Sequence, residues 1–301
     1  MSRNRRRYLL LDVFTDRPFG GNPLALLPEA EGLSATQMQQ IAREFNLSET
    51  GFVRPPRHRD ETHRLRIFTP TQELPFAGHP TIGAALALAE EGWDKPELVV
   101  GQEIGPVRVS LRQQKQHRIA WLWAPKLPEV GPAAPPTPAL AALLGLRPTD
   151  ILAGDWGPAA VSAGIPYLVV PVRDAEVLAR AELDLQRWKE ILQGWWANQV
   201  YVVAPLAGAG GTRYAVRMFG PAIGIPEDAA TGSAATAFPG WLAPRLGTTD
   251  GILTVTIEQG AVLGRPSTLM IEAELEDGDL TAVRVGGTAV AIAEGTLRIP
   301  D

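Results

Sequence analysis

Arg66–Ala85 reads RIFTPTQELPFAGHPTIGAA, and Arg217–Thr236 reads RMFGPAIGIPEDAATGSAAT. At a constant offset, the distance from Arg66 to Arg217, Phe68 meets Phe219, Pro70 meets Pro221, Pro75 meets Pro226 and Ala84 meets Ala235. That offset is half of the 301-residue chain. Self-similarity on this scale means that one folding unit occurs twice.

The flanks repeat as well. Ser34 to Asn46 has the pattern of an amphipathic helix, with Ser34 as N-cap and Gln37 completing a capping box, and a strand follows at Gly51–Arg54. In the second half Leu185–Gly194 is helical in pattern, and the strand-like VYVVAP follows from Val200. Downstream of each repeated block come β-rich segments, Leu98–Leu111 and Ile252–Glu272. The proline-rich stretch Ala124–Pro138 reads as a stiff linker, and AGAGG at Ala207–Gly211 as a hairpin turn. The expected domains are residues 1–126 and 127–284.

Each repeated block opens from a glycine-containing loop into a segment that is apolar on every side, Thr81–Ala89 and Gly232–Leu242. A helix without a polar face is buried all round, and a sheet wrapped around it achieves that. The fold class is therefore α+β, two pseudo-symmetric domains, each a sheet around a central helix. Pro239 and Gly240 predict that the second central helix kinks or ends early.

Composition narrows the function. Hydrophobic residues make up 45% and charged residues 20%, as in soluble globular proteins, and the net charge is −5. No basic stripe is interleaved with aromatics, which argues against nucleic-acid binding. Arg3, Arg5, Arg6 and Arg7 form the one basic cluster. The apolar run behind it is broken at Asp12, too soon for a signal peptide, so the cluster reads as a solvated tail leading into a first strand. No stretch has the length of a membrane span. With no cysteine there is no disulfide, thiolate nucleophile or zinc–thiolate site, which fits a cytoplasmic protein. His58, His63 and His117 show no ligand spacing, so no metal site is expected.

A central helix points its unpaired N–H groups and the positive end of its dipole beyond its own N-terminus, a setting for anions. Two such ends occur here, at Gly78-His79-Pro80-Thr81 and at Thr231-Gly232-Ser233. If an approximate two-fold axis relates the halves, both ends can face one cleft suited to a small anionic metabolite. The halves also differ. Glu49 aligns with Asn198, two residues off the main register, and Asp228 aligns with Ala77, so each half has one acid that the other lacks. Glu49 lies at a helix-to-strand junction beside Phe52 and Val53, where burial raises a carboxyl pKa towards the range of a general acid/base. His79, at a helix N-terminus, is expected to be neutral.

Six stretches in order carry a resemblance: DVFTDRPFGGNPLAL from Asp12, EFNLSETGFV from Glu44, RIFTPTQELPFAGHPTIGAA from Arg66, YAVRMFGPAIGIPEDAATGSAA from Tyr214, EQGAVLGRPS from Glu258 and VRVGGTAVAIAEG from Val283. They resemble the phenazine-biosynthesis-protein-F-like (PhzF-like) family, sister to diaminopimelate epimerase. The resemblance implies mostly antiparallel sheets and a C-terminal strand, residues 285–301, crossing back to the first domain. It implies a cofactor-free isomerase and a homodimer. Its catalytic residues map to Glu49 in the SET motif, His79 in GHP and Asp228 in the ED pair. Its substrate contacts map to Asn22, Ser48, Gly78, Thr231, Gly232 and Ser233. Two departures from the family pattern are Ala229, where many members carry proline, and Pro239-Gly240. The absence of cysteine excludes a two-thiol racemase.

Together these readings make Glu49 a single carboxylate that removes a proton from an activated carbon and returns it elsewhere on the same face. The backbone of Gly78, Gly232 and Ser233 would hold the substrate carboxylate, while Asp228 and His79 orient an amino or hydroxyl group. The rivals are a small-molecule binding protein without catalysis, and a Ser233–His79–Asp228 hydrolase. The latter lacks the G-x-S-x-G elbow. No G-x-G-x-x-G follows a strand, which argues against a dinucleotide.

Overall fold

The capping box forms as the sequence predicts. Ser34 accepts the backbone N–H of Gln37, and the Gln37 side chain accepts the Ser34 N–H, starting α1 (Ala35–Phe45), which ends at a left-handed Asn46. Met38, Ile41 and Ala42 of this helix pack on Leu27, Phe52 and Phe68. In the computed structural model, which describes residues 5–208 and 212–300, the chain divides into two units, Met1–Pro125 with Gly286–Asp301, and Lys126–Val285.

Around α1 the first unit contains β1 (Arg5–Val13), β2 (Asn22–Leu27), β3 (Glu49–Arg54), β4 (His63–Phe68), β5 (Glu73–Leu74), α2 (Gly78–Glu90), β6 (Glu97–Gln102), β7 (Gly105–Gln114) and β8 (His117–Trp123). Antiparallel pairs join β1 to β2, β3 to β4, and β6 to β7 to β8, while β2–β3 and β4–β6 run parallel. The second unit contains β9 (Glu129–Val130), α3 (Thr137–Leu143), β10 (Ala159–Ser162), β11 (Pro166–Pro171), α4 (Ala175–Arg180), α5 (Leu185–Ile191), β12 (Gln199–Pro205), β13 (Arg213–Gly220), β14 (Ile225–Asp228), α6 (Gly232–Leu246), β15 (Gly251–Gln259), β16 (Ser267–Glu276) and β17 (Asp279–Gly287). Its pairings repeat the first set: β10–β11 and β12–β13 antiparallel, β11–β12 and β13–β15 parallel, β15–β16 antiparallel. The last strand, β18 (Ala289–Arg298), pairs antiparallel with β1 in the first unit.

Alternation along the strands gives each sheet two apolar faces. In β12, Val200 and Val202 join Leu168, Val170 and Phe219 in a core covered by Leu140, Leu178 and Trp188 of the outer helices. Tyr201 points the other way, onto Phe238 of α6. In the first unit α2 is buried on all sides, as its composition requires. Gly83 lets it approach the sheet, since a Cβ there would stand 2.6 Å from the Leu24 side chain and 2.9 Å from that of Val13.

Four expectations are corrected. The second central helix does not end early: α6 runs fifteen residues to Leu246 with Pro239 and Pro244 inside it. An interior proline costs about 3 kcal/mol. Full burial of Phe238, Trp241 and Leu242, with the first two rings stacked at 5.5 Å, offsets that cost. The proline-rich stretch is not a bare linker, because Glu129–Val130 pairs with β10 and Thr137 starts α3. Arg5–Arg7 are not a tail but the first residues of β1, where Arg7 meets Glu91 and Glu294, and Arg3 lies outside the described residues. The second-half helix stops at Ile191, short of Gly194. Ala209–Gly211 of the expected hairpin turn lies outside the described residues. No helix among the described residues is long and apolar enough to cross a membrane.

Candidate active site

β3 starts at Glu49, which directs its side chain to the α2 face of the sheet. Two residues on, Gly51 lies on that face against Leu24 and Leu26. Leu24 pairs with Glu49 and also touches Gly83 of α2, so the carboxyl group sits near the helix's first turn. Glu49 is 7% exposed, and its Oε2 has no hydrogen-bond partner among the described residues. Desolvation pushes its pKa up to about 7, and a hydrogen bond from Ser48 pulls the other way.

His79, in the first turn of α2, is equally buried. Its Nε2 lies 3.5 Å from Glu49 Oε2. The Ser48 hydroxyl donates to Asn22 Oδ1 at 3.1 Å, so Asn22 turns its Nδ2 to His79 Nδ1 at 3.4 Å. Which of the Asn22–His79 pair donates follows from the imidazole tautomer. The Ser48 hydroxyl has one proton and two acceptors within reach, Asn22 and Glu49. Asn22, Ser48, Glu49 and His79 thus form one group, with the N–H groups of α2 beginning at Gly78 beside it. Ala77, the N-cap, provides no side-chain cap.

In the second unit Asp228 ends β14, and its Oδ2 accepts from Thr231 Oγ1 at 2.7 Å. Gln259 ties this turn together: its Nε2 donates to Asp228 O and Thr231 Oγ1, and its Oε1 accepts the Thr231 N–H. Gly232 opens α6, again with no side-chain cap. Ser233 Oγ lies 2.6 Å from the Tyr167 hydroxyl, and the second unit contains no histidine. Asp228, Thr231, Gly232 and Ser233 therefore share one turn. Glu227, the other acid of the pair, accepts from Arg217 Nε at 2.8 Å and Nη2 at 2.7 Å.

Sequence reading missed Gln259 and Tyr167. A signal for Gln259 existed, since Gln102 likewise ends the strand after its central helix and donates to Thr81 at 2.7 Å. Gly260, in the same EQG segment, has φ +78, and a Cβ there would lie 2.3 Å from Arg265 O and 2.6 Å from Ala229 O. Gly260→Ala is expected to cost about 3 kcal/mol from left-handed strain plus collision with backbone. Urea unfolding of the variant beside the parent chain measures it.

The pairing of Glu49 with Asn198 is also corrected. Thr50 faces Phe68 and Val200 faces Phe219. Because Phe68 and Phe219 are matched, Glu49 corresponds to Gln199 and Ser48 to Asn198. The residues between the matched blocks carry one insertion that the local sequence does not locate.

The family model of phenazine biosynthesis-like proteins (PhzC-PhzF) matches residues 11–295. An uncharacterized isomerase of Mesorhizobium japonicum is 42% identical over 299 residues, 98% of this chain and 99% of that one. The trans-2,3-dihydro-3-hydroxyanthranilate isomerase of Pseudomonas aeruginosa is 37% identical over 290 residues, 96% of this chain and 98% of its own. Among solved structures, a PhzF-family phenazine biosynthesis protein of Bacillus anthracis shares the fold at a TM-score of 0.89 and 24% identity, over 98% of this chain and 99% of that one.

Proposed function

We propose that this chain, which belongs to the phenazine biosynthesis-like (PhzF) family and is an isomerase of that family, moves a hydrogen between carbons of a small carboxylate-bearing metabolite through Glu49 and without a cofactor. The observation that carries the reading is a buried carboxyl group with its pKa near 7, its Oε2 3.5 Å from Nε2 of the buried His79. A carboxylate held this way is basic enough to take a proton from a carbon flanked by conjugating groups. The C–H bond breaks, its electron pair enters the conjugated system, and Glu49 becomes a carboxylic acid. The same group then gives its proton to a second carbon of that system, and the carboxylate is restored. Atoms and charge balance without an oxidant or a co-substrate.

His79, beside Glu49, donates to charge developing on the substrate. As Glu49 ionises, the Ser48 hydroxyl gains a charged acceptor, and a charge-assisted bond is the stronger of its two choices. The uncapped start of α2 at Gly78 suits the substrate's carboxylate. Asp228, Thr231, Gly232 and Ser233 in the second unit are assigned to binding an amino or hydroxyl group together with an anion.

The test uses trans-2,3-dihydro-3-hydroxyanthranilate, the acid for which the Pseudomonas relative is named. It is offered in D2O to protein dialysed against a chelator and freed of nucleotides. The expected result, read by proton NMR, is isomerisation with deuterium entering at carbon. Loss of turnover on dialysis, restored by a metal ion or a nucleotide, would falsify the cofactor-free step.

A further inference from the structure

Gln199 takes the place in the second unit that Glu49 takes in the first. Each is the first residue of its strand, each precedes the residue that faces the matched phenylalanine, and each has a partner in a parallel ladder, Leu24 for Glu49 and Tyr167 for Gln199. Gln199 is 5% exposed, and its Oε1 has no hydrogen-bond partner among the described residues. A buried amide oxygen left without a donor destabilises the fold that contains it. Directly paired residues share a sheet face, as do residues two apart along a strand. Gln199 therefore shares its face with Tyr167 and Tyr201. Met218, paired with Tyr201 and with Asp228, extends that face to the acid. Tyr167 holds Ser233 on the same side. Gly220 borders the orphaned oxygen, since a Cβ there would stand 3.5 Å from it and 3.4 Å from Met218 Sδ.

We infer that Gln199 is a ligand-recognising residue of the second unit, whose amide oxygen accepts a hydrogen bond from an amino or hydroxyl group of the carboxylic acid on which the isomerase acts. The inference rests on the function proposed above. Two acceptors on one face, the Gln199 amide and the Asp228 carboxylate, suit a ligand rich in donors, and the start of α6 beside them suits its anionic group. The amide also has the shape of a glutamate with no proton to exchange. The second unit thus has an amide where the first has a carboxyl group, which leaves proton transfer to the first unit.

The experiment titrates the full chain calorimetrically with three stable aromatic acids: 3-hydroxyanthranilate, anthranilate, which lacks the hydroxyl, and 3-hydroxybenzoate, which lacks the amine. Gln199→Leu is expected to bind 3-hydroxyanthranilate about tenfold more weakly, the worth of one buried hydrogen bond. For whichever analogue lacks the donor that Gln199 receives, the loss shrinks to within about twofold. The unfolding midpoint of the variant should stay level or rise, because an unsatisfied polar group has been removed. Gln199→Asn, which draws the oxygen back by about 1.5 Å, is expected to show the same ligand pattern. Unchanged affinity for all three acids in both variants overturns the assignment and leaves the role of Glu49 standing. So does an equal loss for all three accompanied by a lower midpoint, the mark of a structural residue. Failure of the parent chain to bind any of the three overturns the substrate class together with the assignment.

Discussion

Glu49→Gln is expected to lower turnover about 10³- to 10⁴-fold, the upper range for loss of a general acid/base, because one side chain here serves both proton transfers. Affinity for a stable analogue such as 3-hydroxyanthranilate should stay within about twofold, since glutamine keeps the shape and an acceptor oxygen. Deuterium entry from solvent should fall in step with turnover. The three readings separate the roles: a lost base leaves binding intact, whereas a damaged site weakens both. His79→Asn removes a donor beside Glu49 and should cost less than Glu49→Gln. Turnover in Glu49→Gln within about tenfold of the parent would remove this residue from the chemistry and require another base.

The same carboxyl group should make stability depend on pH in a direction opposite to that of most acids. Burial raises the folded-state pKa of Glu49 from 4.5 to about 7. Between these values the folded chain retains a proton that the unfolded chain releases. The contribution is therefore fully present below about pH 4.5 and is lost as pH climbs through 7. Its size is about 3 kcal/mol, from 1.36 kcal/mol for each pKa unit. Glutamine does not titrate, so the difference in unfolding free energy between Glu49→Gln and the parent should shift in the variant's favour by that amount between pH 4 and pH 8. All other titrating groups cancel in the comparison. Denaturant unfolding at four or five pH values reads it, and parallel curves for the two proteins would place Glu49 in water. The catalytic counterpart follows from the same value. As the base, Glu49 must be ionised, so the apparent second-order rate constant should fall below about pH 7 by tenfold per unit.

The repeat, the buried character of α2 and the capping box at Ser34 were legible because each depends on residue type and short spacing, whereas Asn22, Ser48, Glu49 and His79, up to 57 positions apart, were joined only by the family resemblance. A helix of small and apolar residues has one way to be accommodated, and a Ser-x-x-Gln pair acts within one turn. Less legible was the fate of Pro239. Its cost is local and visible in the sequence, while the burial of Phe238, Trp241 and Leu242 that offsets it comes from strands distant in the chain. Gln259 was read past for a related reason: its three hydrogen bonds reach Asp228 and Thr231, about thirty residues away, and spacing does not reveal a contact of that range.

The chemistry that a segment carries was set by sequence alone: no thiol anywhere, one acid at the head of β3, one histidine at the head of α2, and two copies of a single unit. Tertiary structure alone decided which residues answer one another across the repeat. Strand register is established by pairing with distant partners, and a shift of one residue exchanges the two faces of a strand. That shift separates Asn198 from Gln199, and with it an amide left at the margin of the core from one buried where Glu49 has its counterpart.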